Sequence, residues 1–355
     1  MLVAKQAYEK TPTKDLEKKI SKYNNIQMAR KIQLNSAYGA IGNQYFRYYN
    51  LKNAEAITMS GQVSIRWIEH EMNLYLNKIL KTEKEDYVIA SDTDSIYLNL
   101  GPLVEGVYKG REKTDKSVVS FLDKICSLEL EKHISRSYKA LAAYVNAYDQ
   151  KMIMKRENIA STGIWTAKKR YMLNVWDSEG VRYDEPKLKM MGIEAVKSST
   201  PAPCRTAIKN AIQVMMNGTE DDLLSYIDTF KSEFNSLPPE DIAFPRSVNG
   251  LRKFKASGTV YSKGCPLHVR GTLLYNFYIA KNKLEYKYPL VQEGEKIKYA
   301  YLLRPNPLGN ENVISFLNTF PRELDLAESI DRDAQFKKSF LDPLRIITDV
   351  IEWDI

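Results

Sequence analysis

The stretch Tyr87-Val88-Ile89-Ala90-Ser91-Asp92-Thr93-Asp94-Ser95-Ile96-Tyr97 decides how this 355-residue chain is interpreted. A β-forming apolar run, residues 87 to 90, meets a short polar turn, and a second β-forming run, residues 95 to 100, follows at once. Two such runs joined by a short polar turn predict a tight β-hairpin. Its tip would carry the carboxylates of Asp92 and Asp94.

The two carboxylates at this tip have one of two explanations. At about 4 Å apart they would repel by roughly 4 kcal/mol at an effective dielectric of 20. Both therefore stay ionised at low cost only where a cation lies between them. Oxygen ligands on a rigid scaffold suit Mg²⁺. Asp, Ser and Thr are also ordinary turn residues, so this stretch alone fits a metal site and a plain polar turn equally well.

The composition favours an anionic partner. Lys and Arg number 52 against 44 Asp and Glu, which gives a net charge of +8 and an isoelectric point near 9.0. A basic balance of this kind is typical of proteins that bind polyanions. The length predicts two or three subdomains.

The cysteines and the hydropathy pattern indicate where the protein works. The three cysteines lie far apart in sequence, so we expect no disulfide and a reducing compartment. Neither a signal peptide nor an apolar run of about eighteen residues is present, so we expect a cytoplasmic protein with no membrane partner. Cys265 and His268 have the spacing of a zinc ligand pair, but no second pair stands nearby, so zinc is not expected.

A basic helix precedes the hairpin. Thr13 follows a proline and can cap a helix that runs on to Tyr38. Lys31, Asn35 and Tyr38 are spaced i, i+4, i+7 and so project from one face. Lys suits a phosphate, Tyr suits a base, and Gly39 leaves room beside them. A solvated stripe on an amphipathic helix has the same pattern, and both interpretations stay open.

A second basic cluster follows the hairpin. We predict a strand over residues 151 to 160 and another over residues 163 to 175, with Lys168-Lys169-Arg170-Tyr171 inside the second. In a strand Lys168 and Arg170 would face one way, so the cluster could grip a nucleic-acid backbone. A solvated charge run is the alternative. Further cations and hydroxyls suited to phosphate contacts follow at Lys187, Lys189, Lys197, Ser198 and Ser199.

The rest of the chain is mostly helical. Residues 203 to 216 and 221 to 234 predict two helices. Residues 264 to 271, which include Arg270, are the most distinctive segment of a mixed region. A helical run is predicted from about residue 331. The terminal residues, 350 to 355, alternate apolar and acidic side chains, which is typical of a docking peptide or of a frayed terminus.

Three motifs in this order resemble those of family B DNA polymerases. They are Lys31-x-x-x-Asn35-Ser36-x-Tyr38-Gly39, Asp92-Thr93-Asp94-Ser95 and Lys168-Lys169-Arg170-Tyr171. The likeness is nearest to the replicative polymerases of T-even-like tailed phages, including those that infect cyanobacteria, and it covers essentially the whole chain. Residues 40 to 49, 197 to 201 and 268 to 271 are similar as well.

The resemblance implies an α+β fold and a set of site residues. Residues 1–50 would be partial fingers containing their second helix, residues 51–165 a partial palm with an antiparallel sheet, and residues 166–355 a duplex-holding palm and mostly helical thumb with a C-terminal tail. Asp92 and Asp94 would bind two Mg²⁺ ions, with Glu157 as an outer acidic neighbour. Lys31 would act in catalysis on the incoming dNTP, whose pocket Asn35, Tyr38 and Gly39 would shape. The expected contacts to primer-template DNA are Lys168, Lys169, Arg170, Tyr171, Lys187, Lys189, Lys197, Ser198, Ser199 and Arg270.

Two departures from the family qualify these expectations. Ala90-Ser91 stands where many relatives have Tyr-Gly, which puts the primer-end contacts there in doubt. The family's other palm aspartate lies in an Asp-x-x-Ser-Leu-Tyr-Pro segment, and that segment, the amino-terminal region and the 3′→5′ exonuclease are missing from this sequence. The chain therefore resembles the carboxy-terminal half of a polymerase.

Three functions are compatible with such a half. The chain is a subunit of a split polymerase completed by a separate amino-terminal half, or a truncated piece that alone only binds DNA, or, less in keeping with the motifs, a metal-dependent nuclease. Inactivity in isolation is expected, because two aspartates leave the metals under-liganded. Residues 350–355 loosely resemble the family's sliding-clamp tail. If the protein is viral, it would work in the cytoplasm of the infected bacterium.

Overall fold

A computed structural model describes residues 2–256 and 258–355, which fall into two units. The first contains the described residues up to Gly163 together with Leu173–Lys189, and the second contains Ile164–Met172 and Met190–Ile355. Helices and antiparallel sheets are both present, as the α+β prediction requires. The assignment of fingers, palm and thumb stays a prediction.

The first unit is helical around a small hairpin. Its helices are α1 (Leu2–Lys10), α2 (Lys14–Ile41), α3 (Leu51–Leu80), α4 (Gly101–Tyr108), α5 (Asp115–Ile125) and α6 (Glu131–Tyr144). Its hairpin consists of β1 (Val88–Asp92) and β2 (Ser95–Leu98), which pair antiparallel. The hairpin predicted around Asp92 and Asp94 is therefore confirmed.

Helix α2 begins where its cap predicts. The Thr13 hydroxyl accepts a hydrogen bond from the Leu16 amide at 3.3 Å, which satisfies one of the free donors of the first turn. The predicted helix is confirmed over 28 residues, and none of its side chains is buried. Its side chains are at most partly buried, although helices of globular proteins are stabilised mainly by packing.

The hairpin rests on a core formed by two helices. Ile68, Met72 and Leu76 of α3 are 0% exposed. They pack with Tyr87 and Val88 at the start of the hairpin and with a row of α6 side chains, Ile134, Tyr138 and Leu141. Each fully buried side chain of this size contributes about 1.5–3 kcal/mol. The hairpin is thus attached to the most completely buried part of the unit.

A three-stranded sheet follows, in the order β3 (Asn158–Ala167), β4 (Arg170–Ser178), β5 (Val181–Met191). The first unit takes residues 158–163 and 173–189 of it, and the second takes the remainder. Two predictions are wrong here. Residues 151–157 are not in a strand, and the strand predicted over residues 163 to 175 is broken by a turn at Lys168-Lys169. No Gly, Asn or Pro signals this turn, and Lys169 itself adopts the positive φ, 61°, that the turn requires.

The second unit combines helices with a sheet of its own. Its α-helices are α7 (Ala202–Asn217), α8 (Glu220–Ser236), α9 (Pro239–Ile242), α10 (Leu251–Phe254), α11 (Leu267–Lys281), α12 (Arg332–Phe336) and α13 (Asp342–Thr348). Its own sheet is antiparallel and consists of β6 (Phe244–Ser247), β7 (Lys296–Tyr301) and β8 (Val313–Phe316). The two helices predicted over residues 203–216 and 221–234 are confirmed as α7 and α8. The helical run expected from residue 331 is confirmed as well, with Asp331 capping α12.

Among residues 2–256 and 258–355, no helix combines the length and the apolar character that crossing a bilayer requires.

Candidate active-site hairpin and duplex-binding residues

The tip of the hairpin is a tight and unusual turn. Asp92 is the last residue of β1 and pairs with Ser95 of β2, so Thr93 and Asp94 form the turn. Thr93 has a φ of 58°, and the Asp94 amide donates to the Asp92 carbonyl at 2.6 Å. This is a γ-type turn. A positive φ at a β-branched residue is rare, and such strain persists at a cost of about 1–3 kcal/mol only where the surroundings enforce it.

Two hydroxyls of the tip donate hydrogen bonds to Asp92. The Thr93 hydroxyl donates to Asp92 Oδ1 at 2.9 Å, and the Ser95 hydroxyl donates to the Asp92 carbonyl at 3.2 Å. The two hydroxyls thus support Asp92 from both sides of the turn. The carboxylates of Asp92 and Asp94 thus lie at a tight turn between two paired strands.

Helix α3 anchors the entry to the hairpin through two asparagines. Asn73 Oδ1 accepts from the amides of Tyr87 at 2.9 Å and Val88 at 3.0 Å. One turn later, Asn77 accepts from the Glu85 amide and donates to the Glu85 carbonyl. These amide side chains replace backbone partners that the chain lacks where it leaves the helix. The sequence reasoning missed both residues, although their i, i+4 spacing on α3 was visible.

Asp94 lies beside a buried tyrosine of α6. Burial raises the pKa of Tyr138, and the negative charge of Asp94 raises it further. Tyr138 is only 4% exposed and belongs to the core beneath the hairpin. The charge of Asp94 is therefore close enough to be felt by the core beneath the hairpin.

The two carboxylates of the turn can be compared with what a metal ion requires. Among residues 2–256 and 258–355, no group of three or more His, Cys, Asp or Glu side chains is placed to hold a metal ion. Two carboxylates nevertheless suit Mg²⁺, which keeps several waters and is usually bound through one or two carboxylates plus substrate phosphates. The chemistry of Asp92 and Asp94 fits that ion as a partial ligand set.

The predicted nucleotide-facing residues all lie on α2. Lys31, Asn35, Tyr38 and Gly39 are exposed, and a Cβ built on Gly39 would meet nothing within 4 Å. Their shared helix face is thus accessible and uncrowded. The arrangement fits the prediction of a nucleotide-facing surface but is equally that of a solvated stripe.

The charges of Lys31 in α2 and Lys189 in β5 both act on Glu157. A hydrogen bond from Lys189 at 2.7 Å lowers the pKa of Glu157, and the charge of Lys31 adds to this effect. Lys189 bonds Glu157 directly, and Lys31 acts on it through its charge alone, although the three residues are far apart in sequence. Glu157 is held as a carboxylate by cations on two elements.

The basic cluster at residues 168 to 171 has three different environments. Lys168 and Lys169 are exposed at the β3–β4 turn. Arg170 donates two parallel hydrogen bonds to Glu194, at 2.9 and 2.8 Å. Tyr171 is 6% exposed and stacks on Trp165, with ring centroids 6.2 Å apart. The predicted alternation within one strand is wrong, because the turn reverses the chain between Lys168 and Arg170.

The other predicted DNA-binding residues mostly have protein partners. Lys187 pairs with Glu9 at 2.7 Å and lies 4.0 Å from the Tyr183 ring. Lys197 pairs with Glu194 at 2.7 Å. Arg270 donates to Asn312. Ser198 is exposed and Ser199 is half-buried. The sequence reasoning missed Glu9 and Glu194, since ion pairs over 178 and 24 residues leave no local signal.

The terminal residues fold back on the second unit. The Trp353 amide donates to the Thr348 carbonyl at 3.0 Å, and the Asp354 amide donates to Glu220 at 2.7 Å. Arg345 donates to the Ile355 carbonyl at 2.7 Å. The predicted docking peptide is thus hydrogen-bonded to its own chain, and its role with a clamp stays a prediction.

Comparison with known proteins gives the same family as the motifs. A family model described as DNA polymerase family B matches residues 3–137. The chain is 38% identical over 339 residues to the DNA-directed DNA polymerase of Escherichia phage RB69, which covers 92% of this chain and 37% of that protein. It is 36% identical over 341 residues to that of Enterobacteria phage T4, which covers 93% and 37%.

A more distant relative is DNA polymerase 1 of Aeropyrum pernix, 21% identical over 260 residues, with 71% of this chain and 22% of that protein covered. The chain thus spans about 37% of the length of the two phage relatives. The resemblance predicted from the three motifs is confirmed: the chain belongs to DNA polymerase family B.

Proposed function

We propose that this chain is the carboxy-terminal catalytic part of a DNA-directed DNA polymerase. It would add nucleotides to a primer 3′-hydroxyl once the amino-terminal half is supplied. The single observation that carries this proposal is the pair of carboxylates, Asp92 and Asp94, on a rigid hairpin in a chain homologous to polymerases. The first 50 residues would be fingers, residues 51–165 palm, and residues 166–355 duplex-holding palm and thumb.

The residues of the chain have separate roles in this proposal. Asp92 and Asp94 would hold Mg²⁺, which when bound stabilises negative charge that develops on a transferring phosphate. Lys31 would bind the phosphates of the dNTP as a point charge. Tyr38 would stack on the nascent base pair, and the open space at Gly39 would admit it. Glu157 would remain an outer carboxylate, held by Lys189.

The exposed apolar surface of α2 supports the need for a partner polypeptide. Ile26, Ile32 and Leu34 are 43%, 57% and 74% exposed, and no residue of the helix is buried. An uncovered helix with several large apolar side chains is typical of an interaction surface. A polypeptide that carries the rest of the polymerase would cover this helix and add the missing palm aspartate.

Primer extension tests the proposal. The purified chain alone should not extend a primer-template, because its ligand set for Mg²⁺ is incomplete. Addition of the amino-terminal half of a phage relative should restore template-directed synthesis. Extension by the chain alone would overturn the requirement for a partner, and no extension with any amino-terminal half would overturn the enzymatic proposal.

A second function is supported by the charge of the chain. With a net charge of +8 and an incomplete metal site, the chain could act alone as a primer-template-binding module. This function and the split enzyme are distinguished in the same experiment. Duplex binding that is unchanged by the amino-terminal half, with no synthesis in either case, would identify the binding module.

A further inference from the structure

Arg170 makes three hydrogen bonds to the loop that follows β5. Its guanidinium donates to both carboxylate oxygens of Glu194, at 2.9 and 2.8 Å, and to the Gly192 carbonyl at 3.1 Å. The side chains of Arg170 and Glu194 are only 21% and 17% exposed. Parallel bonds between a guanidinium and a carboxylate are geometrically specific as well as strong. Arg170 is thus already committed to a protein partner.

The same loop touches the β3–β4 turn at a second point. Gly192 has a φ of 68°, and a Cβ built on it would lie 2.2 Å from the Lys169 carbonyl oxygen. Only glycine permits this approach of two backbones. The loop therefore contacts the turn through its backbone and through Arg170.

Lys197 completes the arrangement. It donates to Glu194 at 2.7 Å. Burial alone would raise the pKa of Glu194, but the hydrogen bonds from Arg170 and Lys197 lower it to about 2. One carboxylate thus joins the first residue of β4 to the segment that leads into Ser198 and Ser199.

We propose that Arg170, Glu194 and Gly192 form a clamp that positions the Lys168-Lys169 turn and residues 197–199 as one surface for the DNA backbone. Arg170 is then a positioning residue and not a phosphate contact. The inference rests on the proposed function, and it reverses the simple electrostatic expectation for Glu194. A carboxylate on a DNA-binding surface repels phosphates, so its removal should tighten binding unless it holds the surface in shape.

Duplex binding by Glu194→Gln tests whether removal of this carboxylate weakens or tightens DNA binding. The clamp predicts that this variant of the full chain binds primer-template duplex about five- to tenfold more weakly, with a shallower salt dependence, although its net charge rises by one. Glu9→Gln is the matched control, since it frees Lys187 from an ion pair in the same way outside the clamp. That control should bind as tightly as the wild type or more tightly.

Arg170→Lys separates positioning from direct contact. Lysine keeps the charge but cannot make the two parallel bonds, so the clamp predicts a loss similar to that of Glu194→Gln. The double variant Arg170→Gln/Glu194→Gln should lose no more affinity than Arg170→Gln alone, because both changes remove the same clamp. Near-normal binding by Arg170→Lys, or tighter binding by Glu194→Gln, would overturn the proposal.

Amide hydrogen exchange of the free protein provides a readout that needs no DNA. In Glu194→Gln, exchange at residues 168–170 and 193–197 should become faster while exchange in α7 stays unchanged. Unchanged exchange in both loop segments would overturn the clamp. If the wild-type chain fails to bind any duplex, the proposed function fails, and the exchange data alone decide whether the clamp exists.

Discussion

At the scale of single residues, the candidate site depends on where each charge is placed. Asp92 and Asp94 lie at a strained turn between two paired strands, where the Thr93 and Ser95 hydroxyls donate hydrogen bonds to Asp92. Glu157 and Glu194 are also acidic residues, but each forms an ion pair with a cation of its own chain. The difference between these acids lies in their partners and not in their residue type.

Asp94→Ala should abolish synthesis by the completed enzyme while duplex binding persists, because the substitution removes a metal ligand and no cation that meets the DNA. Primer extension and a binding titration measure the two properties. The matched control is Asp184→Ala, which removes a carboxylate whose side chain is 94% exposed. Synthesis by Asp94→Ala at the wild-type rate would refute the metal role.

Glu194 should make stability depend on acid pH. Its pKa falls from 4.5 in the unfolded chain to about 2 in the folded protein. The ionised form therefore stabilises the fold above pH 4.5, and this contribution is lost as the pH falls from 4.5 towards 2. Unfolding temperatures measured across this range should fall less steeply for Glu194→Gln than for the wild type. Glu55→Gln, which removes an exposed carboxylate of α3, controls for the loss of one charge; equal slopes for Glu194→Gln and wild type would contradict the prediction.

At the scale of elements, helix α3 carries the hairpin. Its buried row of Ile68, Met72 and Leu76 packs below the strands, and its polar edge holds the chain that enters β1. The packed side chains fix the position of the hairpin, and the hydrogen bonds to the two asparagines fix the path of the chain into β1. Helix α3 thus supports the candidate site, although none of its residues was predicted as a site residue.

Asn73→Ala should destabilise the protein by about 1–3 kcal/mol, because the part-buried Tyr87 amide loses its acceptor and the Val88 amide keeps only a 3.2 Å bond to Asp86. Urea denaturation of the variant measures this difference. Asn217→Ala on α7 is the control, since its side chain donates only to the carbonyl one turn earlier. A change within about 0.5 kcal/mol for Asn73→Ala, the range of ordinary surface substitutions, would show that the anchor has no role.

The terminal segment is a second element whose role can be measured. Deletion of residues 350–355 should shorten the products made by the completed enzyme in the presence of a sliding clamp, and should leave products made without the clamp unchanged. Arg345→Ala, which loosens the tail without removing it, should retain clamp-dependent synthesis. Equal product lengths with and without the tail would remove this interpretation.

At the scale of the whole molecule, an excess of positive charge is combined with extensive internal pairing. Arg170, Lys187, Lys189 and Lys197 each donate to a carboxylate. The exposed Lys168 at the β3–β4 turn is therefore the stronger candidate for direct phosphate contact. In the proposed function, net charge would attract the DNA, and the fold would decide which cations reach it.

Lys168→Gln should weaken duplex binding for every DNA sequence tested and reduce the slope of log affinity against log salt by about 0.9, the release of one counterion. Binding titrations over a range of salt concentrations measure both effects. Lys81→Gln, at the end of α3, is the control for the loss of one positive charge. An unchanged slope for Lys168→Gln would identify the turn as plain surface.

Local chemistry determined much of this protein. The Thr13 cap, the helices α7 and α8, and the hairpin with its two aspartates followed from the sequence alone, because caps, helical periodicity and short β-runs act between residues close in the chain. The order of three motifs also determined the family. A resemblance of this kind needs no knowledge of contacts.

Only the tertiary structure decided the partners of the charged residues and the turn at Lys168-Lys169. Glu194 and Arg170 are 24 residues apart, and Lys187 and Glu9 are 178 apart, so no local pattern connects them. The turn is imposed on residues with no turn signal, where Gly192 packs against the Lys169 carbonyl. Ion pairs and backbone contacts of this kind form only when distant segments are brought together, and they determine which predicted cations are available to a ligand.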